Sequence, residues 1–212
     1  MKWRTIRALV VLGFGLAASA MAATSSPLAD AMEKRDQAGV RTLLVSGSGV
    51  NAAQPDGTTG LPWAAYHDDT ETAALLLKGG ADVNRVNRYG MSSLAQACKN
   101  GSAAMVKMLL DAGADINLTL KGGETVLMLA SRSGNAEAVQ MLLGRRANPN
   151  ARERLGQTAL MWAAAEGHTA IVRALIAAGA DTNAKTDSGF TPFFFAVREG
   201  RLDTVRAFLA AG

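Results

Sequence analysis

Gly156–Asn183, GQTALMWAAAEGHTAIVRALIAAGADTN, is the stretch whose reading decides the fold. Thr158 offers a hydroxyl N-cap, and Ala159–Glu166 is a run of small residues with high helix propensity. Gly167 breaks the run. Thr169–Ala178 then places Ile171, Val172, Leu175 and Ile176 on one face, which predicts a second, amphipathic helix. Gly179 stands where a helix ends at positive φ, and Ala180–Asn183 is turn chemistry. A helix–turn–helix–loop unit of this size cannot bury its own apolar face.

The unit recurs. Gly57, Gly90, Gly123, Gly156 and Gly189 are 33 residues apart, and so are Asn51, Asn84, Asn117, Asn150 and Asn183. The hydroxyl before the first helix repeats as Thr59, Ser92, Thr125, Thr158 and Thr191. The second helix keeps one core position as Leu43, Leu76, Leu109, Leu142, Leu175 and Phe208. Four positions holding one register predict stacked repeats. The period, the Thr-x-Leu opening, the Leu-Leu pair and the Gly-Ala-Asp-x-Asn close resemble the ankyrin repeat. The resemblance covers roughly 24–212. It implies an all-α solenoid of about six helix-turn-helix repeats of 33 residues joined by hairpin-like loops. The repeats fall near 23–55, 56–88, 89–121, 122–154, 155–187 and 188–212.

The chain begins differently. Lys2, Arg4 and Arg7 form a basic head, Ala8–Ala17 an apolar run, and Ala18–Ala22 offers small-residue cleavage sites. That pattern predicts a bacterial-type secretory signal over 1–22, with an uncleaved anchor as the alternative, and hence a periplasmic or secreted location. The whole chain has 22 Lys and Arg against 18 Asp and Glu; without Lys2, Arg4 and Arg7 it is 19 against 18, near neutral. A nucleic-acid partner is therefore not expected, because such a domain needs a basic stripe. No membrane association is expected after cleavage.

Cys98 is the single cysteine and shares its slot with Ala65, Ser131, Ala164 and Val197, so it reads as a small buried filler. In repeat two, Pro62 falls in the first turn behind Thr59, and Asp68 or Asp69 can cap the second helix. Arg145-Arg146 stands where sister repeats have glycine; either Gly144 shifts the cap or Arg146 is strained, and Pro149 points to an altered loop. The slot of the family's Thr-Pro-Leu-His histidine holds Pro62, Ala95, Met128, Met161 and Phe194 instead. The first repeat, with Asp30, Glu33, Lys34 and Arg35, is polar enough for a terminal cap. The last, whose second helix keeps Val205, Phe208 and Leu209, is not, so either the chain is shortened from a longer array or its uncapped end meets a partner or self-associates with another copy.

Catalysis needs converging groups. His67 and His168 are the two histidines, about three repeats apart at roughly 10 Å per layer. His67-Asp68-Asp69 with Glu71 is sequential and divergent, unlike a metal site. His168 reads as a turn hydrogen bond, and Trp162, sharing a slot with Trp63, Leu129 and Phe195, as an inter-repeat packing residue. No enzyme, cofactor or metal is expected. The resemblance implies instead a concave face made of loop tips and first-helix ends. Carried over by position, its protein-binding residues are Tyr66, Arg88, Tyr89, Met91, Lys99, Leu118, Leu120, Glu124, Arg132, Arg154, Leu155, Gln157, Glu166, Phe190 and Arg198. Leu118, Leu120, Tyr66, Tyr89 and Phe190 are large apolar residues at expected surface positions, either binding anchors or side chains packed against adjacent loops. The expected function is non-catalytic binding of an unidentified protein partner. A secreted effector or neutralising factor acting on a host or competitor protein is the alternative.

Overall fold

The computed structural model describes residues 26–47 and 49–212; the export signal assigned to 1–22 lies outside them. The described residues form twelve α-helices in six pairs. These are α1 (Pro27–Glu33) and α2 (Gln37–Val45), α3 (Gly60–His67) and α4 (Thr70–Lys78), and α5 (Ser93–Asn100) and α6 (Ala103–Asp111). Then come α7 (Val126–Ser133) and α8 (Ala136–Gly144), α9 (Ala159–Glu166) and α10 (Thr169–Ala177), and α11 (Pro192–Arg198) and α12 (Leu202–Ala211). The odd-numbered helices stack into an inner row that packs more closely than the even-numbered outer row, so the array curves around the inner row. Antiparallel bridges Val86–Ser92 and Thr119–Thr125 give the connecting loops their hairpin character.

Each first helix starts where a hydroxyl can satisfy an orphan amide. Ser92, Thr125, Thr158 and Thr191 accept from the backbone N–H three residues on, at 3.1–3.4 Å. Thr59 makes no such bond. The residue three on is Pro62, which has no N–H to give. The first turn tolerates Pro62 sterically, yet it removes the cap's donor. At the second helix Asp69 is the cap, accepting from Thr72 N at 2.9 Å, while Asp68 takes the turn glycine's left-handed conformation at φ 55°. Leu76, Leu109, Leu142, Leu175 and Phe208 are buried as their period requires, and Leu43, in the first repeat, is half-buried.

Asparagine links the second-helix ends between repeats. Asn51 donates to Gly80 O (2.9 Å) and accepts from Asp82 N (2.7 Å); Asn84 and Asn150 do the same to Gly113/Asp115 and Gly179/Asp181. Asn117 instead turns its amide to Asp115 Oδ1. This missing rung faces the turn where Arg146 replaces glycine at φ 66°. The cap has not shifted: α8 ends at Gly144 with Arg145 as C-cap, matching Gly79 and Ala112 in the sister turns. The Pro149 loop keeps the sister geometry, because Asn150 N bonds Asn148 Oδ1 as Asn84 N bonds Asp82 Oδ1. The strain is therefore carried at Arg146. Arg146→Gly is expected to raise the unfolding free energy by about 0.5–1 kcal/mol, read by urea denaturation.

Candidate protein-binding groove

The loop tips form one row because each is tied to its neighbour through the backbone. Arg88 N donates to Asp56 O (2.8 Å), Lys121 N to Tyr89 O (3.2 Å), Arg154 N to Gly122 O (2.9 Å) and Asp187 N to Leu155 O (3.1 Å). At the opposite ends of the inner helices, side chains reach back one repeat. Asn135 donates to Gly101 O (2.6 Å), and His168 Nε2–H donates to Arg132 O (3.1 Å). Arg201, in the register of His168, donates through Nε to Ala165 O at 2.9 Å. The turn role read for His168 is thus an inter-repeat bond. His67 accepts from Arg35 Nε at Nδ1 and donates from Nε2 to Glu33 O. Both imidazoles are occupied in holding repeats together.

Between tips and inner helices lie two hollows. The first, about 290 Å³, brings together Tyr66 and Met91 with Asp56, Trp63, Asn87 and Gln96. Tyr66 stands edge-on to Trp63 at 5.6 Å. The second, about 230 Å³, gathers Arg132, Gln157, Glu166 and Arg198 around Trp162, Ala165 and Phe195. The Arg132 guanidinium lies over the Trp162 ring at 5.5 Å and that of Arg198 over Phe195 at 4.9 Å. Arg132 and Glu166 approach to 3.7 Å, and Arg198 pairs with Glu199 at 2.8 Å.

The other expected groove residues distribute differently. Arg88 and Tyr89, with the guanidinium 5.5 Å from the ring, and Arg154, Leu155 and Phe190 stand exposed on the tips; Phe190 stacks on Phe194 at 4.4 Å. Lys99 is exposed and lines neither hollow. Leu118 and Leu120 do not stand free: both are half-buried, and Leu120 packs on the core, because the Gly90 turn sits directly against the backbone of 119–120. Glu124 is also half-buried, with Oε2 enclosed and unpaired beside Gly122. Trp162 and Trp63 pack against the core as their slot implies, and each does more. Each is half-buried, donates its indole N–H to a glutamine (Trp162 to Gln157 at 2.7 Å, Trp63 to Gln54 at 2.8 Å) and lines a hollow. A buried indole needs an acceptor, and Gln157, five residues before Trp162, was the available signal.

Cys98 is fully buried, and burial pushes its thiol up to about 12, so it holds no reactive thiolate. Among the described residues no three His, Cys, Asp or Glu side chains converge as a metal set. At the far end, Phe193, Val197 and Leu209 are exposed, with Phe208 and Leu209 lining a further hollow beside Thr191. A family model described as ankyrin repeats (3 copies) matches residues 28–119 and 127–212, and another, ankyrin repeats (many copies), matches 96–143. The chain belongs to the ankyrin-repeat family. No curated protein matches it in sequence. Ankyrin repeats are generally protein–protein interaction modules and the family is typically non-catalytic.

Proposed function

We propose that this ankyrin array is an exported, non-catalytic module that binds a partner protein through its concave groove. The observation carrying this reading is the second hollow, where four of the expected groove residues, Arg132, Gln157, Glu166 and Arg198, meet two aromatic rings. Tryptophan, tyrosine and arginine are enriched among binding hot spots, and this hollow sets two arginines beside a tryptophan. The tip-to-tip backbone bonds fix the row beforehand, so association does not have to order loops. Export rests on the basic head, apolar run and small residues of 1–22.

The test is affinity capture from the exported fraction with the tagged full chain and with Trp162→Ala and Arg198→Glu, each checked for unchanged circular dichroism. The partner is expected to be lost from both folded variants. A partner retained undiminished by both would place its contact elsewhere and end the groove reading.

A further inference from the structure

The last turns of the inner helices share one register: Tyr66, Lys99, Arg132, Ala165 and Arg198 follow one another every 33 residues. Three of the five are cations. Ala165 interrupts the row between two arginines, and its small side chain opens the 230 Å³ hollow. Neither guanidinium is spent. Among the described residues Arg132 donates no hydrogen bond, meeting Glu166 only as an ion pair at 3.7 Å. Arg198 meets one oxygen of Glu199 with both Nε and Nη2 at 2.8 Å, and among the described residues its Nη1 has no side-chain partner. Each guanidinium lies over an aromatic ring, Arg132 at 5.5 Å from Trp162 and Arg198 at 4.9 Å from Phe195, and its planar fork matches a carboxylate.

We propose that this hollow selects an acidic segment of the partner protein, with carboxylates paired to Arg132 and Arg198 and an intervening apolar side chain seated over Ala165 and Trp162. The inference rests on the groove being the binding surface and adds what the groove recognises. Glu166 is then an internal competitor, occupying Arg132 loosely until a partner carboxylate displaces it. A nucleic-acid strand fits less well. A continuous run of phosphates needs a basic stripe, and the chain beyond its basic head carries 19 cations against 18 anions.

The experiment is display selection of random short peptides on the immobilised full chain, followed by titration of the enriched peptides. The expected peptides carry at least two Asp or Glu around an apolar residue. Their affinity should fall at least about a hundredfold in Arg132→Gln/Arg198→Gln, the loss of two charge-assisted hydrogen bonds. It should rise about two- to fivefold in Glu166→Gln, as removal of a weak surface ion pair frees Arg132. Arg132→Lys/Arg198→Lys, which keeps the charge, should retain part of the binding and so exclude misfolding as the cause. Peptides that depend on Trp162 but are neutral or basic would overturn the acidic preference while leaving groove binding intact. Selection yielding no peptide sensitive to any groove substitution would overturn both. Tighter binding of a single-stranded oligodeoxythymidine than of any acidic peptide would overturn the assignment of a protein carboxylate.

Discussion

Leu109→Ala is expected to lower the unfolding free energy by about 3–5 kcal/mol, measured by urea denaturation of the full chain. Leu109 lies in α6, fully buried between the outer-row neighbours α4 and α8, in register with Leu76 and Leu142. Truncation removes the methyl groups' transfer energy and leaves a cavity at an interface made by regular helices that cannot easily collapse. In a solenoid, stability is a sum over repeats and the interfaces between them. Weakening a central interface should therefore separate the halves as well as destabilise the whole, giving a broadened or two-step transition. A loss below about 1 kcal/mol with an unchanged single transition would mean that the outer row carries less of the stability than its burial implies.

Gly90→Ala is expected to cost about 2–3 kcal/mol or more, well beyond the roughly 1 kcal/mol that an L-residue pays for the left-handed region alone. At φ 80° an added Cβ would sit 2.8 Å from Thr119 O and 3.0 Å from Leu120 Cα, both backbone atoms of the next loop. Gly113 is the internal control: its φ is 86°, and a Cβ there would meet nothing within 4 Å. Gly113→Ala should cost only about 1 kcal/mol. Equal effects at the two positions would show that φ, rather than the approach of neighbouring loops, sets the demand for glycine. The groove follows from the same contact, since the Gly90 turn seats Leu120 against the core and fixes the spacing of the tips.

Much of the architecture was legible because the period acts on many residues at once. The Thr158 cap, the Ala159–Glu166 helix and the left-handed Gly179 all stand where the spacing put them. What escaped depended on a single partner. That Thr59 loses its cap depends on Pro62 being the third residue after it. Arg146 kept the turn and took the strain because the helix end is fixed by the stacked neighbours, leaving the cap no freedom to move to Gly144.

The groove was legible in outline and not in detail. Register identifies which residues stand at inner-helix ends and tips, so Arg132, Gln157, Glu166 and Arg198 could be nominated. It does not say which side chains fold inward. Leu118, Leu120 and Glu124 settled toward the array, where the approach of adjacent loops encloses them. Trp162 was read as packing because it shares its slot with Trp63, Leu129 and Phe195. It does pack against the core, and its half-buried ring also lies under Arg132, which register alone does not show.

The most direct measurement is photo-crosslinking from two positions in the otherwise intact chain: Glu166, at the rim of the second hollow, and Arg173, exposed on the outer helix α10. A photoreactive side chain at 166 is expected to capture the partner in the exported fraction while the same group at 173 does not. Capture from 173 with none from 166 would contradict a concave binding face.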